Sequence, residues 1–250
     1  MTKIVVIGGT GLIGSKLVAQ LTARGNEAIA ASPDSGVNTL TGDGLAEVLT
    51  DAHVVVDVSN SPSFEEREVL NCFTTSTTNL LAAATAAGVG HYVALSVVGT
   101  ERLAESPYFR AKIAQEKLVK ESGIAYSIVH ATQFFEFVRN IGNSSVVNGE
   151  VHVSHALIQP IAADDVATAV GRTATGEPIN GTVEVAGPEQ FGLDELISMS
   201  LTLDGDSRRV VTDPEARYFG AQLQERTLVP GSGASVFPTR FEDWATRRSS

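Results

Sequence analysis

Tyr108, Lys112 and Ser96 are the residues whose types and spacing best fit a chemical reaction. Tyr108 and Lys112 lie four positions apart in a segment with helical periodicity, so both side chains can point to one face of a helix. A phenol beside an ammonium can donate a proton, because the positive charge favours the tyrosinate and lowers the tyrosine pKa. Ser96 follows a predicted strand, at the carboxyl edge of the sheet where ligands of open α/β folds bind. The three residues are therefore candidates for one reacting centre.

Each of the three residues also has a purely structural interpretation. Tyr108 directly follows a proline, which is favoured at the first position of a helix, so its ring can pack elsewhere or lie on the surface. Lys112 can be a surface lysine paired with Glu116 or Glu105. The Ser96 hydroxyl can simply satisfy the end of a strand. The sequence leaves these alternatives open.

A glycine-rich segment, residues 8–14 (GGTGLIG), follows the first predicted strand and opens the first predicted helix. Gly9, Gly11 and Gly14 fit the pattern G-x-G-x-x-G, and Gly8, Gly11 and Gly14 fit G-x-x-G-x-x-G. Without side chains, the segment can turn tightly, pack helix on strand and admit a pyrophosphate to the amides of the helix N-terminus. In this context the segment predicts dinucleotide binding rather than a turn without a ligand. The expected contacts are Gly8, Thr10, Gly11, Leu12, Ile13 and Gly14.

The end of the second predicted strand should select between the two dinucleotides, but it carries neither of the usual signals. A carboxylate there favours NAD, and a basic residue favours the 2′-phosphate of NADP. Asp34 lies beyond a proline, and residues 25–66 contain no Lys or Arg. Ser32, Ser35 and the amides around Gly36 can form a neutral nest for an anion, which favours NADP, with NAD as the alternative. A plain turn explains the same residues nearly as well.

Residues 58–62 (VSNSP) follow the third predicted strand and form a second candidate contact for the dinucleotide. Ligands of open α/β sheets bind beyond the carboxyl ends of the strands, and a loop at this position passes the adenosine ribose and the pyrophosphate. We therefore expect Ser59 and Asn60 to contact the cofactor, mainly through the backbone.

The first half of the chain alternates short apolar strands with longer helical segments. Predicted strands cover residues 3–7, 27–31, 54–58, 91–95 and 125–129, and predicted helices cover residues 12–24, 64–87 and 107–122. Continuously apolar strands are typical of sheets with helices on both faces. The pattern predicts an α/β fold: a doubly wound parallel Rossmann sheet in residues 1–133 and a smaller, integrated substrate-binding lobe in residues 134–250.

The composition restricts the classes of partner. The chain of 250 residues has 29 acidic and 18 basic residues, and its formal net charge of −11 repels nucleic acids and anionic lipid surfaces. We therefore expect a small-molecule substrate, with no nucleic acid and no membrane as partner, and the sequence is compatible with a homodimer. A single cysteine, no leader pattern and no apolar run of about 20 residues predict a cytoplasmic protein. His152 and His155 are too isolated to predict a metal site.

The glycine-rich segment, residues 95–99 (LSVVG), residues 108–112 (YFRAK) with Glu116, and residues 131–134 (ATQF) together resemble the NmrA-like group of atypical short-chain dehydrogenases/reductases. Residues 161–167 and the Gly-Pro pair at 187–188 look like later landmarks of that group, so the resemblance covers nearly the whole chain. It implies a nicotinamide-binding Rossmann fold. It also implies that Ser96 bonds the substrate carbonyl, Tyr108 donates the proton and Lys112 holds the nicotinamide ribose, while the cofactor supplies hydride.

The resemblance further implies that the loop after the fifth strand lies beside the nicotinamide, so Ala131 and Thr132 are expected cofactor contacts. His130 stands where this group usually has an arginine. Members of the group are either reductases or redox-sensing proteins without known turnover. Retention of Ser96, Tyr108 and Lys112 favours an NADPH-dependent reductase of a small carbonyl or conjugated substrate. The alternative is a dinucleotide sensor or regulatory binding protein without turnover, and an epimerase or dehydratase is disfavoured by the short substrate lobe.

Overall fold

The computed structural model describes residues 1–248. Its strands are β1 (Lys3–Ile7), β2 (Glu27–Ala31), β3 (Val54–Asp57), β4 (His91–Val97), β5 (Tyr126–Ala131), β6 (Val146–Val147), β7 (Glu150–Val153), β8 (Leu157–Ile158), β9 (Gly181–Ala186), β10 (Phe191–Gly192), β11 (Val210–Thr212), β12 (Arg217–Tyr218), β13 (Ala221–Gln222) and β14 (Ser235–Val236). Its helices are α1 (Leu12–Ala23), α2 (Leu45–Leu49), α3 (Glu66–Ala86), α4 (Pro107–Glu121), α5 (Val138–Ser144), α6 (Ala163–Thr175), α7 (Leu193–Leu203) and α8 (Phe241–Arg248). Short 3-10 helices cover Pro33–Ser35, Thr100–Leu103 and Phe135–Phe137.

Seven strands form one parallel sheet in the order β14-β9-β5-β4-β3-β1-β2. All residues of β3 and all but the first of β1 are buried. This burial explains their runs of Val and Ile, because a strand covered on both faces needs apolar side chains on both. The predicted α/β fold with a parallel Rossmann sheet is confirmed.

The strands and helices predicted for the first half of the chain are all present, and their ends differ from the predictions by at most two residues. The sequence patterns missed β9 and β14, which join the same sheet from the later part of the chain. β14 consists of two exposed residues, and β9 is only partly buried, so neither has the apolar run that marks the other strands.

The sheet order changes direction at β1, which pairs in parallel with β2 on one side and with β3 on the other. Ile7, the last residue of β1, lies opposite Ala31 of β2 and Asp57 of β3. Ligands of open α/β sheets bind beyond the carboxyl ends of the strands at such a switch point. The chain leaves β1 here as the glycine-rich segment and leaves β3 as residues 58–62. The fold thus brings two predicted cofactor-binding segments to one edge of the sheet.

The chain forms two compact units. Unit 1 comprises Met1–Ser96, Ala111–His130 and Val166–Val183, and unit 2 comprises Val97–Arg110, Ala131–Asp165 and the segment from Glu184 onward. Each has its own apolar core, with Tyr92, Leu80 and Ile128 among the fully buried side chains of unit 1 and Phe135, Ile141 and Ile158 among those of unit 2. The functional division predicted at residues 133 and 134 stays a prediction. Within residues 1–248, no helix is both long and apolar enough to cross a membrane.

Candidate functional site

Three glycines of the glycine-rich segment, residues 8–14, are required by the packing of the protein itself. Gly8 has a φ of +76°, and a Cβ added there would lie 2.9 Å from the Cα of Ser59. A Cβ on Gly9 would lie 2.6 Å from the Cα of Ala30, and one on Gly14 would lie 2.1 Å from the Gly8 carbonyl oxygen. Real Cβ atoms do not approach backbone atoms this closely, so these positions allow the tight turn and the contact of α1 with β1.

Gly11 differs from the other three glycines because a Cβ there would meet only the Gly8 carbonyl oxygen, at 3.3 Å. Gly11 is the N-cap residue of α1, and no side chain caps this helix. Thr10, Gly11 and Leu12 are exposed, whereas Ile13 is buried and can offer a ligand only its backbone. The backbone amides at the N-terminus of α1 have no side-chain cap, and there is free space around Gly11. This N-terminus therefore fits the binding of a pyrophosphate.

The two predicted ribose-reading serines have different roles in the structure. Ser35 Oγ accepts a hydrogen bond from the Ser32 amide and donates one to the Ser32 carbonyl oxygen, both at 2.9 Å. The Ser35 hydroxyl therefore stabilises its own 3-10 turn. Ser32 is buried, and its Oγ has no hydrogen-bond partner within the described chain. A buried hydroxyl without a partner fits a ligand contact, so Ser32 is the better candidate of the two.

The loop after β3 is held by a carboxylate that the sequence analysis did not single out. Asp57 Oδ1 accepts hydrogen bonds from the Ser59 amide at 3.0 Å and the Ser59 hydroxyl at 2.6 Å. Asn60 is exposed, and its side-chain oxygen accepts a hydrogen bond from the Ser61 amide at 3.0 Å. Asp57 accepts both the amide and the hydroxyl hydrogen of Ser59, so Ser59 can offer a cofactor only acceptors, its carbonyl oxygen and its hydroxyl oxygen.

Lys112 is buried, and the alternative of a surface lysine is wrong. Its side chain is 2% exposed, and Nζ donates hydrogen bonds to the Leu95 carbonyl oxygen at 2.9 Å and to Gln115 Oε1. The ammonium also lies 4.8 Å from the centroid of the Phe73 ring. Burial lowers the pKa of Lys112 to about 8, although the charges of Asp57 and Glu116 oppose this shift. An ammonium has three N–H groups, so these hydrogen bonds leave one for a ligand.

Ser96, in β4, belongs to a second buried network, whose centre is Glu116 of α4. Ser96 Oγ donates a hydrogen bond to Glu116 Oε1 at 2.6 Å, and His130 Nε2 donates to the same oxygen at 2.8 Å. Lys120 Nζ lies 3.3 Å from the other carboxylate oxygen. Burial alone would raise the pKa of Glu116, but His130, Ser96 and Lys120 lower it to about 2. The single hydroxyl hydrogen of Ser96 is therefore donated to a carboxylate, not held free for a substrate carbonyl.

Tyr108 belongs to unit 2 and lies in the first turn of α4. Its ring packs edge-on against Phe109, with 5.3 Å between the ring centroids, and contacts the apolar core of unit 2. Burial raises the pKa of Tyr108, which is opposite to the lowering expected from a neighbouring lysine. The phenol therefore stays protonated at neutral pH, and its environment favours a packing role more than the sequence suggested.

The loop after β5 places the polar side chains of Thr132 and Gln133 in the interior of unit 2. Thr132 is buried, as is Ala131, the last residue of β5, and the Thr132 amide donates a hydrogen bond to the Val185 carbonyl oxygen at 3.0 Å. The Gln133 side chain interacts with the Tyr218 hydroxyl, whereas the Thr132 hydroxyl has no hydrogen-bond partner among the described residues. A buried hydroxyl without a partner fits a contact to a ligand, which supports Thr132 as a candidate.

Comparison with known proteins identifies relatives of the chain. A family model described as NAD(P)H-binding matches residues 8–175. The photosystem II assembly factor Ycf39 of Cyanophora paradoxa is 27% identical over 148 residues, which cover 54% of this chain and 46% of that protein. The chloroplastic divinyl chlorophyllide a 8-vinyl-reductase of Cucumis sativus is 28% identical over 227 residues, covering 75% of this chain and 53% of that protein. The chain thus spans about half the length of these two relatives.

Solved structures share the fold at low sequence identity. MoeE5 in complex with UDP-glucose and NAD has a TM-score of 0.73 and 18% identity, with 99% of both chains covered. The dTDP-4-dehydrorhamnose reductase of Bacillus anthracis in complex with NADP has a TM-score of 0.72 and 14% identity, covering 99% of this chain and 97% of that one. One neighbour contains NAD and the other NADP, and the likeness establishes the fold alone.

Loss of the Glu116 charge is expected to destabilise the protein in a pH-dependent way. A carboxyl group whose pKa falls from 4.5 to about 2 on folding contributes up to about 3 kcal/mol to stability at neutral pH. This contribution is complete above pH 4.5 and is lost as the pH falls towards 2. Glu116→Gln should therefore lower the free energy of unfolding in urea at pH 7, and the deficit should shrink at pH 3.

The matched control is Glu121→Gln, which removes an exposed carboxylate from the same helix and should change stability by less than about 1 kcal/mol. If Glu116→Gln is as stable as this control at pH 7, then Glu116 is not the charged centre of its network.

Proposed function

The chain belongs to the NAD(P)H-binding family, and from this premise we propose that it is an NAD(P)H-dependent oxidoreductase that reduces a small organic carbonyl or conjugated substrate. The observation that carries the proposal is the buried ammonium of Lys112, held at the carboxyl end of β4 with one N–H left over. Family membership confirms the nicotinamide-binding Rossmann assignment made from sequence. The NmrA-like subgroup, the homodimer and the cytoplasmic location stay predictions.

Different residues of unit 1 would bind different parts of the cofactor. The amides at the N-terminus of α1 would bind the pyrophosphate, and Ser32 and the backbone of Ser59 would contact the adenosine side. Lys112 would hold the ribose of the nicotinamide through its remaining N–H. When bound, the cofactor supplies hydride to the substrate carbon. The buried and unpartnered Ser32 hydroxyl could bond a phosphate oxygen, which favours NADP over NAD as the proposed cofactor.

Reduction of a carbonyl also requires a proton at the oxygen, and Tyr108 is the proposed donor. Burial keeps the phenol protonated, so it can act as an acid when a negatively charged oxygen forms next to it. Ser96 could take part only as an acceptor of hydrogen bonds, because its hydroxyl donates its hydrogen to Glu116. The name of the Cucumis sativus relative, a vinyl reductase, supports the conjugated class of substrate.

A binding protein without turnover is the second candidate, and two observations favour it. The Ser96 hydroxyl donates its hydrogen to Glu116, so it cannot donate that hydrogen bond to a substrate carbonyl. Burial raises the pKa of Tyr108, which makes the phenol a weaker acid than the sequence-based hypothesis requires. The Cyanophora paradoxa relative is named an assembly factor. In this case the same cofactor pocket would respond to bound dinucleotide without reducing a substrate.

Replacement of Lys112 tests cofactor binding. Lys112→Met should weaken NADPH binding by about 10- to 100-fold, because a charged hydrogen bond to the cofactor is lost. Fluorescence titration with NADPH and NADH measures both affinities, and circular dichroism checks the fold. Lys117→Met is the control, since Lys117 is exposed on the same helix. Equal affinity in the Lys112 variant and the wild type would remove the lysine from the cofactor site.

Replacement of Tyr108 separates the two candidate functions. In a reductase, Tyr108→Phe should lower turnover by about 100-fold or more and leave NADPH affinity unchanged. Turnover is followed by the absorbance of the reduced nicotinamide with a panel of carbonyl and quinone substrates. Unchanged turnover would take Tyr108 out of the mechanism. Tight NADPH binding by the wild type with no turnover of any substrate would favour the binding protein.

A further inference from the structure

Asp57 is a buried carboxylate of unit 1 that accepts four hydrogen bonds and that the proposed reaction does not use. It ends β3 and is 2% exposed. Oδ1 accepts the two hydrogen bonds from Ser59, and Oδ2 accepts one from the Tyr92 hydroxyl at 3.2 Å and one from Gln115 Nε2 at 3.0 Å. Every partner is a donor, so the group acts only as an acceptor, as a carboxylate does.

Gln115 connects this carboxylate to Lys112, and chemistry fixes the orientation of its amide. Gln115 is 1% exposed and lies three residues after Lys112, so both side chains lie on one face of α4. A carboxylate can only accept hydrogen bonds and an ammonium can only donate them. The amide must therefore turn Nε2 towards Asp57 and Oε1 towards Lys112, as it does in the structure.

We propose that Asp57 and Gln115 are positioning residues that join the loop after β3 to Lys112 and orient the remaining N–H of the lysine for the cofactor. The proposal rests on the proposed cofactor role of Lys112. One carboxylate sets the position of Ser59 on one side and, through the Gln115 amide, the position of the ammonium on the other. The two ends of the cofactor site are thereby fixed by a single buried group.

The groups around Lys112 support this arrangement. Asp57 from β3 and Glu116 from α4 are the negative charges that act on it, while the Phe73 ring of α3 covers the ammonium. Burial lowers the pKa of Lys112 and these two carboxylates counteract the effect. Removal of the Asp57 charge or of the Gln115 oxygen should therefore make the lysine easier to deprotonate.

The first test needs no cofactor. In protein labelled with ¹³C-lysine, the Cε signal of Lys112 is assigned by its loss in Lys112→Met, and its pH titration gives the pKa, which should be about 8 in the wild type. In Asp57→Asn and in Gln115→Met the pKa should be lower by about 0.5 or more. Asp51→Asn, an exposed residue of the turn before β3, is the control and should leave it unchanged. An unchanged Lys112 pKa in both variants would overturn the proposal that Asp57 and Gln115 position the lysine. If Asp57→Asn does not fold, Gln115→Met decides.

The second test measures NADPH affinity against pH. The wild type should lose affinity as the pH rises past the Lys112 pKa, and the midpoint should move to lower pH in Gln115→Met, with about tenfold weaker binding below it. An affinity profile identical to that of the wild type would contradict the positioning role. If the wild type itself binds no dinucleotide, the proposed function fails, whereas the cofactor-free titration still decides whether Asp57 and Gln115 act on Lys112.

Discussion

The ammonium group of Lys112 lies inside the protein, and a charge removed from water is costly unless hydrogen bonds and opposite charges replace the water. The Leu95 carbonyl and the Gln115 amide provide the hydrogen bonds, and Asp57 and Glu116 provide the negative charge. This requirement explains why Asp57, Gln115 and Glu116 are buried although the neighbouring strands β1 and β3 consist mostly of Val and Ile. These groups do not fully offset the cost of burial, so the pKa of Lys112 stays below its usual value, at about 8.

Two hydrogen-bond networks include side chains of α4, and they have different chemical effects. The one through Gln115 keeps an ammonium in place with an N–H available, which suits the binding of a ribose. In the one through Glu116, the carboxylate accepts the hydrogen of Ser96 and pairs with His130. Cofactor binding is thus better supported than proton transfer to a substrate, and the choice between a reductase and a binding protein depends on the second network.

The sequence predicted the parts of the structure that depend on local patterns. Apolar strands, helical periodicity and the glycine spacing located the first five strands and the segment between β1 and α1. The Asp57–Gln115 hydrogen bond was not predictable, because it joins residues 58 positions apart and neither belongs to a motif. The use of the Ser35 hydroxyl by its own turn and the raised pKa of Tyr108 depend on side-chain rotamers and burial, which no spacing reveals. Lys112 was selected as a cofactor contact, but its burial was not foreseen.

Calorimetry of NADPH binding at pH 8, in buffers of different ionisation enthalpy, tests most directly whether the cofactor binds the charged form of Lys112. About half of the lysine is neutral at a pH equal to its pKa of about 8, so the wild type should take up about half a proton per bound cofactor. Lys112→Met should take up none. Absence of binding, or equal proton uptake by the two proteins, would contradict the account.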